Sequence, residues 1–300
     1  MRPQPLLPLA LVFAAVFCVL ITLDWYPASS LADRPWFAVF LVLLKAEPAL
    51  FLATFVWYSL PPSSTRSATS LALALCSLGD AALEVERTLR DGDLAFLAGL
   101  GSFLVAHIVF ARGYLLTAPR FEPVIALAAA TPPLIVLRSL WPHVGANPAH
   151  APLKPAIVAY GSVLALLLYA AVVRTPSSAR NWVQTVGGVV VFLLSDAVLA
   201  WDRFAPAPTD ASGAVRWWWH SPSGIVMVTY YTAITLLATA AVLDPSKQKP
   251  TPTSSKVTAK AAAKGSAPTA KDSQVRAKES KAAPRRKSGS SSAPVKDKKM

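Results

Sequence analysis

Apolar positions in this chain gather into long runs rather than into alternating or narrow helical stripes. Between polar or Pro-rich breaks they fall at about 6–23, 36–60, 68–83, 94–116, 121–141, 153–173, 181–201 and 223–243. Most of these runs are about 18–25 residues long, which at 1.5 Å per residue spans a hydrocarbon layer of about 30 Å. The pattern predicts an all-α polytopic membrane bundle of about eight transmembrane helices. Pro48 and the Pro132-Pro133 pair read as kinks, because neighbouring helices can satisfy the carbonyls that proline frees. The first run follows Arg2 and precedes the small residues Ala28-Ser29-Ser30. It exceeds the 7–15 residues usual for a signal sequence and is read as a retained helix.

Beyond Asp244 the pattern stops. Residues 245–300 are rich in Lys, Ala, Ser and Pro and hold no aromatic residue, a composition that cannot bury enough surface to fold, so a disordered tail is expected. Composition then sharpens the picture: 54% of residues are hydrophobic and 15% charged, which disfavours a soluble enzyme, a secreted disulfide scaffold and a folded DNA-binding domain. Cys18 and Cys76 lie inside apolar runs and read as small hydrophobes.

The formal net charge of +13 belongs almost entirely to the tail, which has 15 Lys and Arg against 3 acidic residues, while residues 1–244 have 14 against 13. Attraction to anionic lipid headgroups is its expected consequence, and nucleic-acid binding is not expected without interleaved aromatics. Cations in the short loops are spread evenly over both faces, so the tail sets the orientation, with the C-terminus cytosolic. Lys296 and Lys298 stand five and three places from the end, as in a dilysine-type signal for retrieval to the endoplasmic reticulum.

Ionisable groups inside a bilayer cost about 2.5–3.5 kcal/mol each at a helix centre and call for an explanation. Lys45, Asp80, His107 and Asp196 are the outstanding cases, with Tyr160, Tyr230 and Tyr231 as softer ones. On the spans above, Asp80 and Asp196 lie about 5 and 8 Å inside the same membrane face, and Lys45 and Tyr230 about 10–14 Å inside it. Two carboxylates, a lysine and a tyrosine pair can therefore converge in one half of the bilayer. Lys45 could instead form a structural ion pair with Asp80 or Glu84. His143, His150 and His220 lie in loops without metal-ligand spacing.

Gly79-Asp80-Ala81-Ala82-Leu83 echoes Ser195-Asp196-Ala197-Val198-Leu199, and Leu44-Lys45 with Pro48 echoes Leu153-Lys154-Pro155. The offset of four spans preserves orientation and points to two parallel four-helix halves around a central cavity. Serine-hydrolase, zinc, Walker and dinucleotide-binding motifs are all missing from the sequence.

Lys45 with Pro48, SLGDAAL (77–83), FLAGLGSFLVAHIVF (96–110), FLLSDAVLAWDRF (192–204) and MVTYYTAITLL (227–237) together resemble the YhhN family of membrane lysoplasmalogenases, in order along most of 40–243. The resemblance implies hydrolysis of the vinyl ether bond of lysoplasmalogens to a fatty aldehyde and glycerophosphoethanolamine or glycerophosphocholine. Residues 1–244 would be the catalytic domain, and neither metal nor cofactor is needed. The family's two aspartates match Asp80 and Asp196. One would act as a carboxylic acid that protonates the alkenyl carbon. The other would stabilise the resulting cation and orient water, as carboxylate pairs do in glycosidases. Lys45 would meet the substrate phosphate, and His107, Tyr230 and Tyr231 would position water or headgroup. The chain departs from the family pattern in Ala46-Glu47 before Pro48, in the acidic Glu84 and Glu86, in the Thr209–Trp219 insertion and in Thr232-Ala233-Ile234. A transporter or lipid-binding receptor that uses the same charges as a solute or proton site, and a purely structural scaffold, remain as alternative readings of the residues alone.

Overall fold

Proline and serine mark where the helices begin. The computed structural model describes residues 6–22, 35–89, 92–118, 120–146, 148–204 and 222–243. It has eight long helices: α1 (Leu6–Thr22), α2 (Pro35–Ser59), α3 (Ser64–Leu89), α4 (Gly92–Leu115), α5 (Pro123–Ala146), α6 (Lys154–Val173), α7 (Ala179–Phe204) and α8 (Pro222–Val242). A short 3-10 segment, Pro148–Leu153, precedes α6. Helices α2, α5 and α8 open on Pro35, Pro123 and Pro222, where the missing N–H costs nothing. Ser63 and Ser178 cap α3 and α7, their hydroxyls accepting the N–H groups of Arg66 at 3.2 Å and Asn181 at 3.1 Å.

Seven of the helices, α2 to α8, are long and apolar enough to cross a membrane. With large apolar side chains such as Val39, Leu127 and Ile135 facing outward, they make this a multi-pass membrane protein. At 17 residues α1 sits at the lower limit for a crossing. It packs on α2 and α8, with Phe17 fully buried. Among the described residues there is no strand. The expected tail 245–300, the Thr209–Trp219 insertion, Arg2, Arg34 and His220 lie outside the described residues.

The bundle is organised around α3 and α8. Helix α3 lies between α2 and α4, and α8 packs on α7, α2, α1 and α3. Helix α6 joins α4, α5 and α7, while α5 stays peripheral with 11% of its span buried against 56% for α8. The cross-contacts α2 with α8 and α6 with α4 exchange under a shift of four helices, as do α3 with α4 and α7 with α8. Small residues allow the closest approaches. A Cβ on Gly79 would meet the Phe103 ring of α4 at 2.7 Å, and one on Gly188 would meet Leu237 of α8 at 2.8 Å.

Side-chain hydroxyls bind neighbouring backbones where water is excluded. Ser77 and Ser70 of α3 donate to the Ala46 and Ala53 carbonyls of α2 at 2.9 and 3.0 Å. Ser102 of α4 donates to Leu75 O at 2.7 Å, and Ser195 of α7 to Val226 O at 3.1 Å. Pro48 has no N–H to offer the Leu44 carbonyl one turn back. The next two carbonyls, of Lys45 and Ala46, accept the Tyr231 and Ser77 hydroxyls. The backbone that presents Lys45 is thus fixed from α8 and α3 at once.

Two expectations change in detail. Helix α3 does not stop near residue 83 but runs to Leu89, because Glu84, Glu86 and Arg87 are paired rather than forced into water. Lys154, the counterpart of Lys45 in the second echo, is the first residue of α6 and lies over the Trp141 ring at 5.6 Å. Lys45 by contrast stands well inside α2 and is 5% exposed.

Candidate active site

The helix ends set the depth of the site. Asp80 lies nine residues before the end of α3 and Asp196 eight before the end of α7, about 13 and 12 Å along their axes. Lys45 and Tyr230 follow the starts of α2 and α8 by about 15 and 12 Å, all measured from the same end of the bundle. The matched depth of the two aspartates holds, but both lie deeper than the sequence implied, because α3 and α7 are longer than their apolar runs.

Each aspartate receives one phenol from another helix. Tyr230 of α8 donates to Asp80 Oδ2 at 2.6 Å, and Tyr160 of α6 donates to Asp196 Oδ2 at 3.0 Å. Burial makes these hydrogen bonds consequential, since a buried carboxyl without a partner would bear its full desolvation cost. His107 of α4 is fully buried, with Nε2 3.8 Å from the same Asp196 oxygen. Its ring packs edge-on against Tyr160 and Phe192, and neither of its nitrogens makes a hydrogen bond in the structure.

Lys45 pairs with Glu84, Nζ to Oε2 3.4 Å, and Glu84 is also held by Arg87 at 2.7 Å. Of the two partners open to Lys45 in the sequence, the ion pair takes Glu84, one turn above Asp80 on α3. Nearer the bundle end Arg203 of α7 pairs with Glu86 of α3 at 3.1 Å, its guanidinium over Phe96.

These groups surround a cavity of about 310 Å³ lined by Lys45, Asp80, Asp196 and Tyr230, with Glu86, Arg87, Asp202, Arg203 and Ser223 toward its outer end. A second cavity, about 320 Å³, lies among α4, α5, α6 and α7 and is walled by Leu137, Leu140, Leu164, Leu193 and other apolar side chains. Phe96, Asp196 and Leu199 border both cavities. One wall therefore separates a charged chamber from a greasy one, with a carboxyl group set in it.

Lys45, Asp80, Asp196 and Tyr230 come together around the charged chamber. His107 stands behind Asp196 and borders neither cavity, and Tyr231 turns to the Lys45 carbonyl at 3.0 Å and to Phe17. Tyr160, Arg87 and Arg203 enter the site without having been singled out for it. The signal for Tyr160 is a hydroxyl within an apolar run, and for Arg203 the charge cluster closing α7. Among the described residues no group of three His, Cys, Asp or Glu is placed to hold a metal ion.

Residues 40–241 match the YhhN family, and the match covers every residue of both chambers. The chain belongs to the YhhN family. Its relatives include lysoplasmalogenase TMEM86B of Homo sapiens, 30% identical over 79% of this chain and 86% of the relative. The Sus scrofa protein of that name is 31% identical over 78% and 86%. A lysoplasmalogenase of Mycobacterium bovis is 28% identical over 71% and 77%. No solved structure matches this YhhN protein.

Proposed function

We propose that this chain is a lysoplasmalogenase, hydrolysing the vinyl ether bond of lysoplasmalogens to a fatty aldehyde and glycerophosphoethanolamine or glycerophosphocholine. The observation that carries the reading is the pair of aspartates, Asp80 and Asp196, on a charged chamber that shares a wall with an apolar one. A lysoplasmalogen has the same division: one alkenyl chain, then an ether oxygen, then a glycerophosphate headgroup. The chain fits the apolar cavity and the headgroup the charged one, which brings the vinyl ether to the Asp196 wall.

The chemistry asks for little more. Protonating a vinyl ether at carbon gives an oxocarbenium ion, water adds to it, and the hemiacetal collapses. Preorganised carboxyls held inside the bundle serve both the proton transfer and the cation. Lys45, Arg87 and Arg203 line the charged chamber and are the cations available to a phosphate. Relatives that carry the name lysoplasmalogenase, human and mycobacterial, support the assignment.

The basic tail supports a cytosolic C-terminus in the endoplasmic reticulum membrane, which would put both chambers in the lumenal half. Purified protein in detergent should release fatty aldehyde from lysoplasmenylethanolamine and none from the saturated alkyl ether analogue. Equal breakdown of both lipids, or of neither, removes the proposal.

A further inference from the structure

We propose that Asp196 donates the proton to the alkenyl carbon and that Asp80 takes the proton of the attacking water. The assignment rests on the lysoplasmalogenase reading and adds to it which carboxyl does which step. Among the described residues Asp196 is the only carboxylate that borders both chambers; Asp80, Glu86 and Asp202 border the charged one alone.

Vinyl ether chemistry makes that placement decisive. The carbon that must be protonated is the one bonded to the alkyl chain, so it lies on the apolar side of the ether. The carbon that water attacks is bonded to the ether oxygen and faces the headgroup. Asp196 stands where the chain leaves the apolar chamber. Asp80 stands in the chamber where water and the headgroup gather, one turn below the Lys45–Glu84 pair.

Hydrogen bonding fits the two roles. Tyr160, itself a wall residue of the apolar chamber, donates to Asp196 Oδ2, and His107 Nε2 faces the same oxygen. That leaves Oδ1 to carry the transferable proton. Tyr230 donates to Asp80 Oδ2 at 2.6 Å, shorter than the 3.0 Å bond from Tyr160 to Asp196, so the ionised form is steadied more at Asp80.

The steps balance. The proton on Asp196 Oδ1 passes to the chain-side carbon, the double-bond pair forms the new C–H bond, and an oxygen lone pair closes the oxocarbenium ion. Water adds to the ether-side carbon and its proton goes to Asp80. Asp80 then returns that proton to the glycerol oxygen as the carbon–oxygen bond breaks. The hemiacetal hydroxyl gives its proton to Asp196 as the aldehyde forms, and both carboxyls regain their starting state.

The test is the configuration of the product. Full-length protein in detergent hydrolyses lysoplasmenylethanolamine in deuterium oxide at high enzyme concentration. The aldehyde is reduced at once to the alcohol and analysed at the carbon next to the former carbonyl. Wild type should place one deuterium there in a single configuration. Asp196→Asn and Asp80→Asn should each slow turnover by about 10²–10⁴-fold, the range for losing a general acid or base. Residual product from Asp196→Asn should be of mixed configuration, because solvent then supplies the proton from either face, whereas Asp80→Asn should keep the single configuration. Asp196→Ser and Asp80→Ser give the same readout if an asparagine variant does not fold. A single configuration without the Asp196 carboxyl, or a mixed one without that of Asp80, overturns the assignment. Absence of aldehyde from the wild-type protein would instead overturn the lysoplasmalogenase reading beneath it.

Discussion

The Tyr230 hydroxyl reaches Asp80 Oδ2 at 2.6 Å across 150 residues of sequence, tying the most buried span of the bundle to a carboxyl of the charged chamber. That bond holds one rotamer of Asp80 in the charged chamber, and the ring behind it packs edge-on against Phe103 and Phe192. Tyr230→Phe keeps the packing and deletes the donor. Hydrogen bonds to charged groups contribute about 1.5–3 kcal/mol, so kcat/KM should fall by about 10–150-fold. The thermal midpoint should fall as well, because the buried Asp80 carboxyl loses that donor. Aldehyde-release kinetics beside a melting curve in detergent check both, and undiminished kcat/KM would remove Tyr230 from the mechanism.

Helix ends and the site differ in how far the sequence reveals them. The starts of all eight helices lie within four residues of the starts of the apolar runs, because lipid demands long apolar segments and little else interrupts them. The C-terminal end of α3 was hidden. Glu84, Glu86 and Arg87 look like loop residues until Lys45 and Arg203 are seen beside them on other helices. Asp80 and Asp196 stood out as charges where charge is costly. Tyr160 stood out only as a softer case, since a tyrosine in an apolar run also suits a membrane interface, and its Asp196 partner is 36 residues away. Two adjoining chambers are a property of packing and leave no mark in the order of residues.

Glu84 carries two cations, so its loss should be worse than the loss of either. Glu84→Gln strands the Lys45 ammonium at 5% exposure, and breaking a buried pair from one side costs about 3–5 kcal/mol. Lys45→Met leaves Glu84 with Arg87 at 2.7 Å and should cost clearly less stability, while lowering activity through the charged chamber. Comparing thermal midpoints of the two variants tests the order, and the reverse order would show that Lys45 does not depend on Glu84.

The Arg203–Glu86 pair is part-exposed, with side chains 31% and 23% accessible. Such pairs contribute only about 0.2–1 kcal/mol to stability. Arg203→Gln should therefore fold normally and raise KM for lysoplasmenyl substrates by about tenfold, as expected for one lost charge-assisted contact to a phosphate. An unchanged KM would place the phosphate away from Arg203.

Gly161 lines the apolar chamber, and a Cβ built there meets nothing within 4 Å. Gly161→Leu should fill part of the chamber, its Cβ meeting no neighbour. It should reduce activity on long alkenyl chains while sparing short ones, which a chain-length series of synthetic lysoplasmalogens would measure. Uniform loss across the series would argue against that chamber as the chain site.

Gly79 offers the opposite case. Its Cβ position lies 2.7 Å from the Phe103 ring, and Phe103 borders the charged chamber. Gly79→Ala must push α3 from α4 or drive the ring inward, and overpacking of this kind costs about 1–3 kcal/mol. Both the melting temperature and kcat should drop together. An unaltered melting curve would mean that the helices part freely at this contact.

On the proposed placement, the wall shared by the two chambers would also decide where the reaction's halves go. A lysolipid is a detergent, at home in neither bilayer core nor water, and cleavage at a carboxyl set between a greasy room and a charged one would leave each fragment already in its preferred surroundings. The aldehyde would be left in the apolar chamber and the glycerophosphate in the charged one, beside Arg203 and Asp202. Such a geometry would make hydrolysis a sorting step, in which the amphiphile is dismantled and its parts are released into separate rooms.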